Sequence, residues 1–527
     1  MNTRRDILKN RTYLYVTEFF SGMAVMAVEL AANRLLAPFF SSSQIVWTII
    51  IGTIMIAMAL GNVFGGRWAD RENDPSRLFR RIIIAAVWIS LIPLVGKYII
   101  ILITGVMVVA VSTGLLIWAS FAACMVIFVY PLFLLGTVTP SLIHYTVSDL
   151  SESGSISGRL SACNTIGSII GTFMPTFVTI PAAGTSATFL IFSGVLLAVG
   201  IIYFIANGTG RIMTAVSVVI FVISCVFSNS TGLAFWEKDV VYEGESVYNY
   251  LQVKDTEEST VLSTNVMFGV QSIMMKSDSF TGMYYDYAMA APVICGEENP
   301  RVLILGMGTG TYATQLLKYY PDADITGVEI DDSIIELSRE YFDLPESVEV
   351  VSYDGRAYLN SNEQEYDIIM VDAYRDITIP FQMSTAEFFE SVASHLDDDG
   401  VMVVNMNMLG EGDESITSYL SDTICTVFGE AAVADVSGNT NRELFAVKGE
   451  GIVQRLDAGL ATIPSGADAL AKEMEIVRAA LTTYEPGDRI LTDDKAPVEL
   501  LGMSAMDGLI SEELPYYRDM ILGYLGL

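Results

Sequence analysis

The residues able to do chemistry close a series of short apolar runs in the second half of the chain. RVLILG (301–306) runs into GMGTGT, where Gly306, Gly308 and Gly310 permit a tight strand-to-helix turn that brings backbone N–H groups close to a ligand. Glu329 lies 23 residues after Gly306, within ITGVEI, so its carboxylate sits at the next strand's C-terminal edge and can accept both hydroxyls of a ribose. Asp354-Gly355 follows a third run, VEVVSYD, and Asp372 closes a fourth, YDIIMVD. Turn, acidic strand end and Asp-Gly together read as a nucleoside site. No phosphate-binding lysine follows the turn, which excludes an ATP loop, and the third-strand Asp-Gly argues against NAD. With two histidines, His144 and His395, and five cysteines that form no CxxC pair, neither a metal centre nor a serine-type triad is expected. Proton transfer falls to carboxylates or tyrosines.

These motifs need parallel strands to line them up. The runs at 301–306, 325–330, 348–354, 366–372 and 401–407 read as buried strands, with helices at 311–320 and 332–341 between them, so a doubly wound α/β sheet is the expected architecture. Before it, alternating runs such as 248–253 and 266–275 predict a small β region.

The first half is built for a different solvent. Up to residue 236 there are 13 Lys and Arg against 8 Asp and Glu, and beyond it 16 against 53. Apolar stretches near 13–38, 45–66, 160–180, 185–206 and 212–228, with the long run 82–138, predict seven bilayer spans, or eight if that run holds three. The first is too long and too internal for a cleaved signal. Arg4, Arg5, Lys9 and Arg11 before the first span, and Arg67, Arg71, Arg77, Arg80 and Arg81 after the second, place the N-terminus on the cytoplasmic side. Glu18, Glu29, Asn33 and Arg34 inside the first span require partners or a water-filled cavity. The spacings Gly61/Gly65 and Gly167/Gly171 predict close helix packing. The loop GGRWADRENDPSR is similar to a signature loop of major-facilitator transporters. The expected division is a transmembrane domain over 1–235, a small β domain over 236–295 and a Rossmann-like catalytic domain over 296–527. The acidic second half repels nucleic acid and suits cationic partners.

Residues 237–500 resemble the spermidine synthase family, and the whole chain resembles its membrane-fused branch. The likeness rests on GVQS (269–272), YYDYAMAAP (284–292), RVLILGMGTGT, GVEID, YDGRAYL (353–359), VDAYRDITIPFQMSTAEFF (371–389) and LTDDKAPVEL (491–500). It implies a small β domain followed by a methyltransferase-like Rossmann domain. The implied reaction moves an aminopropyl group from decarboxylated S-adenosylmethionine to a polyamine. It also implies that Gln271 and Tyr285 lie at the active-site wall, that Gly306, Gly308 and Glu329 hold the nucleoside, that Asp354 and Gly355 meet the adenine, and that Asp372 is the catalytic aspartate. An attacking amine, with a pKa near that of lysine at about 10, must lose a proton before it displaces a sulfonium, and a nearby carboxylate can take it.

Departures from the family pattern fall at the cofactor's tail and on the acceptor side. Thr309 stands where the family carries an aspartate that grips the cofactor's amino group; the family's His-Glu becomes Asp286-Tyr287; and the second loop aspartate has its counterpart at Asp376, displaced by one residue. Tyr285, Asp286 and Asp376 are therefore the expected substrate contacts, in a rebuilt acceptor site. Three readings follow: an aminopropyltransferase; a methyltransferase that uses intact S-adenosylmethionine on a membrane-associated acceptor, favoured by Thr309; and a non-catalytic sensor of nucleoside or polyamine. Expected partners are an amine, the bilayer and a second copy of the chain. The cofactor puts the soluble half in the cytoplasm.

Overall fold

A computed structural model describes residues 10–71, 74–147, 150–228, 232–266, 269–374, 379–407, 409, 414–463 and 466–525. The chain separates into two compact units, one up to Trp236 together with the residues from Leu514 on, the other from Glu237 to Glu513.

The first unit is helical: α1 (Arg11–Phe40), α2 (Gln44–Arg71), α3 (Ser76–Ala110), α4 (Leu115–Ile127), α5 (Val129–Gly136), α6 (Val138–Thr146), α7 (Ser153–Met174), α8 (Ile180–Asn207) and α9 (Arg211–Phe227). Among the described residues four helical stretches are long and apolar enough to cross a membrane, and a fifth if the bent run 115–146 counts as one span. That is fewer than the seven or eight segments expected. The segments at 160–180 and 185–206 run together through a π turn at Pro175–Thr179 into one 55-residue stretch, bent at Gly184 (φ +81°), and α9 has only 17 residues. The glycine spacings act as predicted: a Cβ on Gly167 or Gly171 would strike the α1 backbone at Phe19 or Met23, and one on Gly61 or Gly65 would strike Phe133 or Thr137. Glu18 finds partners in Thr139 and Asn164, which donate to its Oε1 from α6 and α7.

The second unit opens with an antiparallel sheet of β1 (Val240–Glu245), β2 (Tyr250–Asp255), β3 (Ser259–Ser263) and β4 (Ser272–Met275). The expected β region ends there. Residues 284–295 are instead two short helices, α10 (Tyr284–Ala288) and α11 (Ala290–Cys295), whose buried Ala, Val, Ile and Tyr side chains join the core under the second sheet.

That sheet contains β5 (Arg301–Leu305), β6 (Asp324–Glu329), β7 (Glu349–Ser352), β8 (Tyr366–Val371), β9 (Leu396–Met406), β10 (Glu430–Asp435), β11 (Arg442–Val447) and β12 (Thr482–Thr483), in the order β12-β10-β11-β9-β8-β5-β6-β7. Strands β9, β8, β5, β6 and β7 are parallel; β11, β10 and β12 extend the β9 edge antiparallel. Helices α12 (Thr311–Tyr319), α13 (Asp332–Tyr341), α14 (Gly355–Ser361), α15 (Ala386–Ser394), α16 (Ile416–Phe428), α17 (Ile452–Leu460) and α18 (Asp468–Ala480) cover it, and α19 (Val498–Leu525) ends the chain. Local sequence sets several starts: Asp331, Asp354 and Thr385 cap α13, α14 and α15 by accepting backbone N–H groups. Strand order reverses between β5 and β8, and a doubly wound sheet opens a ligand crevice at that point, outside the strands' carboxyl ends.

Candidate active site

The glycine turn is locked to the neighbouring strand. Gly306 takes φ +84°, and a Cβ there would lie 2.6 Å from the carbonyl oxygen of Asp372 and 2.7 Å from Cα of Ala373, so only glycine lets β5 leave the sheet this close to β8. Asp372 returns the contact, its N–H donating to the Leu305 carbonyl at 2.9 Å.

Glu329 is buried beside this turn. Its Oε2 accepts from the Gly308 N–H at 2.9 Å and its Oε1 from the Asp331 N–H at 3.0 Å, while burial pushes its pKa up to about 7. Two backbone donors thus fix a carboxylate at the β6 edge with lone pairs to spare. Asp354 gives Oδ1 to the Ala357 N–H as the α14 cap, which leaves Oδ2 at the β7 edge; Gly355 packs under Met383.

Asp372 is held through both oxygens by side-chain donors. Tyr284 donates to its Oδ2 at 2.6 Å and Asn405 to its Oδ1 at 2.7 Å; Asn405 in turn accepts from Asn441 at 2.8 Å. Burial raises its pKa to about 7, the two donors pull it down, and the charge of Glu329 pushes it up. A cavity of about 290 Å³ opens against it, lined among others by Gln271, Met283, Tyr284, Tyr374, Asn405 and Asn441.

The sheet edge therefore brings together Gly306, Gly308, Glu329, Asp354, Gly355 and Asp372, with Gln271 on the cavity wall. Two expectations come out differently, and a third falls outside the described residues. The tyrosine on Asp372 is Tyr284; Tyr285 donates instead to the Gln271 carbonyl at 2.9 Å, its ring 4.0 Å from that of Tyr284. Asp286 does not face this cavity, because its buried carboxylate accepts from Thr281 N and Oγ1, Gly282 N and Gln315 Nε2 and so holds the turn before α10. Asp376 lies outside the described residues. Thr309 is buried, its N–H donating to Ser272 Oγ at 3.2 Å and its own hydroxyl without a partner among the described residues.

Tyr284, Asn405, Asn441 and Tyr374 escaped the sequence reading. An asparagine inside the apolar run VMVVNMN was a signal for Asn405; nothing local marks Asn441, which directly precedes β11, the strand paired with β9.

A family model described as "Spermine/spermidine synthase domain" matches residues 282–434. A probable polyamine aminopropyl transferase of Bifidobacterium longum is 52% identical over 336 residues, covering 61% of this chain and 75% of its own length. A polyamine aminopropyltransferase of Vibrio vulnificus is 26% identical over 301 residues, with 54% and 98% covered. Among solved structures, a probable spermidine synthase from Corynebacterium glutamicum aligns over 48% of this chain and 99% of its own, at 19% identity and a TM-score of 0.37. With a relative this similar over three quarters of its length, the chain belongs to the spermine/spermidine synthase family.

Proposed function

We propose that the protein transfers an aminopropyl group from decarboxylated S-adenosylmethionine to an amine acceptor, leaving methylthioadenosine. One observation carries this reading above the rest: Asp372, held by Tyr284 and Asn405, forms the wall of a cavity next to Glu329 and the glycine turn. In the proposed arrangement Glu329 accepts the ribose hydroxyls, Gly306 and Gly308 let the backbone approach the nucleoside, Asp354 and Gly355 meet the adenine, and Gln271 closes the wall. The acceptor arrives as an ammonium ion, attracted by a carboxylate, and gives one proton to Asp372. Its freed lone pair attacks the aminopropyl carbon; the N–C bond forms as the C–S⁺ bond breaks, and the product leaves as a secondary ammonium. Tyr284 and Asn405 fix both oxygens of Asp372, so the proton acceptor needs no reorganisation during the step.

Incubating the full chain in detergent with each form of the cofactor and a panel of amines tests this, with mass spectrometry reading the nucleoside product. Methylthioadenosine formed only with an amine and the decarboxylated cofactor is the expected result; S-adenosylhomocysteine would mean methyl transfer. That second reading draws on Thr309, since no carboxylate at this position repels the carboxyl group of intact S-adenosylmethionine.

The apolar helices of the first unit support anchoring of this chemistry in a membrane, and the cofactor it needs supports a cytoplasmic side for the second unit. Sedimentation with membranes after alkaline washing, and protease protection of the soluble unit in sealed vesicles, check both statements.

A further inference from the structure

The motif LTDDKAPVEL (491–500) has no part in the mechanism, yet its first half folds against the adenine side of the site. Thr492 and Lys495 exchange backbone hydrogen bonds at 3.1 and 2.9 Å, which closes a tight turn with Asp493 and Asp494 at its tip. The turn is moored to α15 and α16. Leu491 accepts from the Ala386 N–H and donates to Thr423 Oγ1, each at 2.9 Å, and the Asp493 N–H donates to Glu387 Oε2 at 3.0 Å.

The tip of this turn meets Arg356, the second residue of α14, directly after Gly355. Arg356 donates from Nη1 to Asp493 Oδ1 and from Nη2 to Asp493 Oδ2, both at 2.7 Å, the two-pronged pairing that fixes a guanidinium in orientation as well as in place. Thr385, the cap of α15, donates its hydroxyl to the same Oδ1 at 2.8 Å. Nη1 has a second acceptor, the Gln382 carbonyl at 3.0 Å. Gln382 belongs to the short turn Phe381–Met383, whose Met383 Cε lies 3.1 Å from where a Cβ on Gly355 would stand. A cation in the first turn of a helix opposes the helix dipole, so α14 gains nothing from an arginine here. The guanidinium instead joins three stretches far apart in sequence, at the residue next to the proposed adenine contact.

We propose that Arg356 is a positioning residue for the adenine. Clamped by Asp493, it holds the Phe381–Met383 turn against Gly355 and so fixes the backbone that borders the base where it meets Asp354 and Gly355. This rests on the nucleoside reading above. Asp354 spends Oδ1 on the Ala357 N–H and keeps Oδ2 as an acceptor. The exocyclic amine of adenine satisfies such an oxygen, whereas the carbonyl of hypoxanthine in the same place repels it. That discrimination depends on the base being held in one place. Loosening the clamp therefore weakens the preference for adenine more than it weakens chemistry at Asp372, which closes a different strand.

Calorimetry and steady-state kinetics on the full chain in detergent test this, with methylthioadenosine and methylthioinosine as probes that differ only in the base. Wild type should prefer methylthioadenosine by about 10-fold or more. Arg356→Lys keeps the charge and loses the fork; Asp493→Asn keeps the shape and loses the charge. In both, methylthioadenosine affinity should fall about 10-fold with methylthioinosine affinity little changed, and KM for the decarboxylated cofactor should rise while kcat stays within about twofold. Asparagine at 493 still accepts from Thr385 and Arg356, so that variant decides the matter alone if Arg356→Lys folds poorly. A clamp that serves stability only would lower the melting temperature and leave the ratio of the two affinities at its wild-type value, and that result overturns the proposal, as does a fall in kcat with KM unchanged. Wild-type protein that binds neither nucleoside overturns the nucleoside reading itself, and this inference with it; a selective wild type with equally selective variants overturns the positioning role alone.

Discussion

The hydroxyl of Tyr284 donates to Oδ2 of Asp372 at 2.6 Å, joining the first turn of α10 to the end of a strand 88 residues away. The bond favours the ionised carboxylate and opposes the burial that lifts the Asp372 pKa to about 7. As a base Asp372 works only when unprotonated, so kcat/KM for the amine should fall about tenfold per pH unit below pH 7 and level off above it, well short of the amine's own titration near 10. In Tyr284→Phe the carboxylate loses a donor worth about 1.5–3 kcal/mol, which moves the acidic limb up by about one to two pH units. A pH–rate profile over pH 5.5–8.5 reads both effects; an unmoved limb in the variant would separate Tyr284 from the titration of Asp372.

Glu329→Gln keeps the shape of the side chain and one acceptor for the backbone, but loses the charge that would hold two ribose hydroxyls. Methylthioadenosine affinity should drop about 10- to 100-fold, in line with charged hydrogen bonds, with little change in melting temperature. Calorimetry checks it, and unaltered affinity would take Glu329 out of the ribose contact.

Thr309→Asp places a carboxylate beside the turn. It should shift preference toward the decarboxylated cofactor by at least tenfold, since the new charge attracts a free ammonium and repels an intact amino acid carboxylate. Equal discrimination by wild type and variant, measured as a ratio of kcat/KM values, would show that Thr309 does not meet the cofactor's tail.

Gly306→Ala tests the join between β5 and β8. A left-handed backbone costs a side-chain-bearing residue about 1–2 kcal/mol, and the clash with Asp372 and Ala373 adds about 1–3 kcal/mol of overpacking. The variant should be destabilised by a few kcal/mol and should lose activity beyond its loss of folded protein, because the strain falls on the catalytic strand end. Denaturant melts beside activity per folded molecule separate the two losses.

The nucleoside side of the site was legible because it is local: a glycine turn and an acidic strand end are each fixed by a few neighbouring residues, and parallel pairing of β5, β6, β7 and β8 carries them to one edge. The acceptor side was not, for two physical reasons. Which of Tyr284 and Tyr285 reaches Asp372 depends on the rotation of a five-residue helix, and each step along a helix turns a side chain by about 100°. Asn405 and Asn441 meet only because β11, which follows Asn441, runs antiparallel beside β9, a pairing with no local signal in the chain. In the helical half, apolarity marked the long helices but not α6, and how two of them run together was decided at the 175–179 π turn and Gly184.

The central claim, that Asp372 takes the acceptor's proton, is tested most directly by single-turnover kinetics of Asp372→Asn beside its affinity for methylthioadenosine. Asparagine keeps the shape and can still accept from Tyr284, but it cannot take a proton. The account predicts a loss of about 10²- to 10⁴-fold in the aminopropyl-transfer step with nucleoside affinity within a few-fold of wild type. Near-normal transfer in Asp372→Asn would contradict it and move the base elsewhere, with Asp376, four residues further along the sequence, the first residue to substitute.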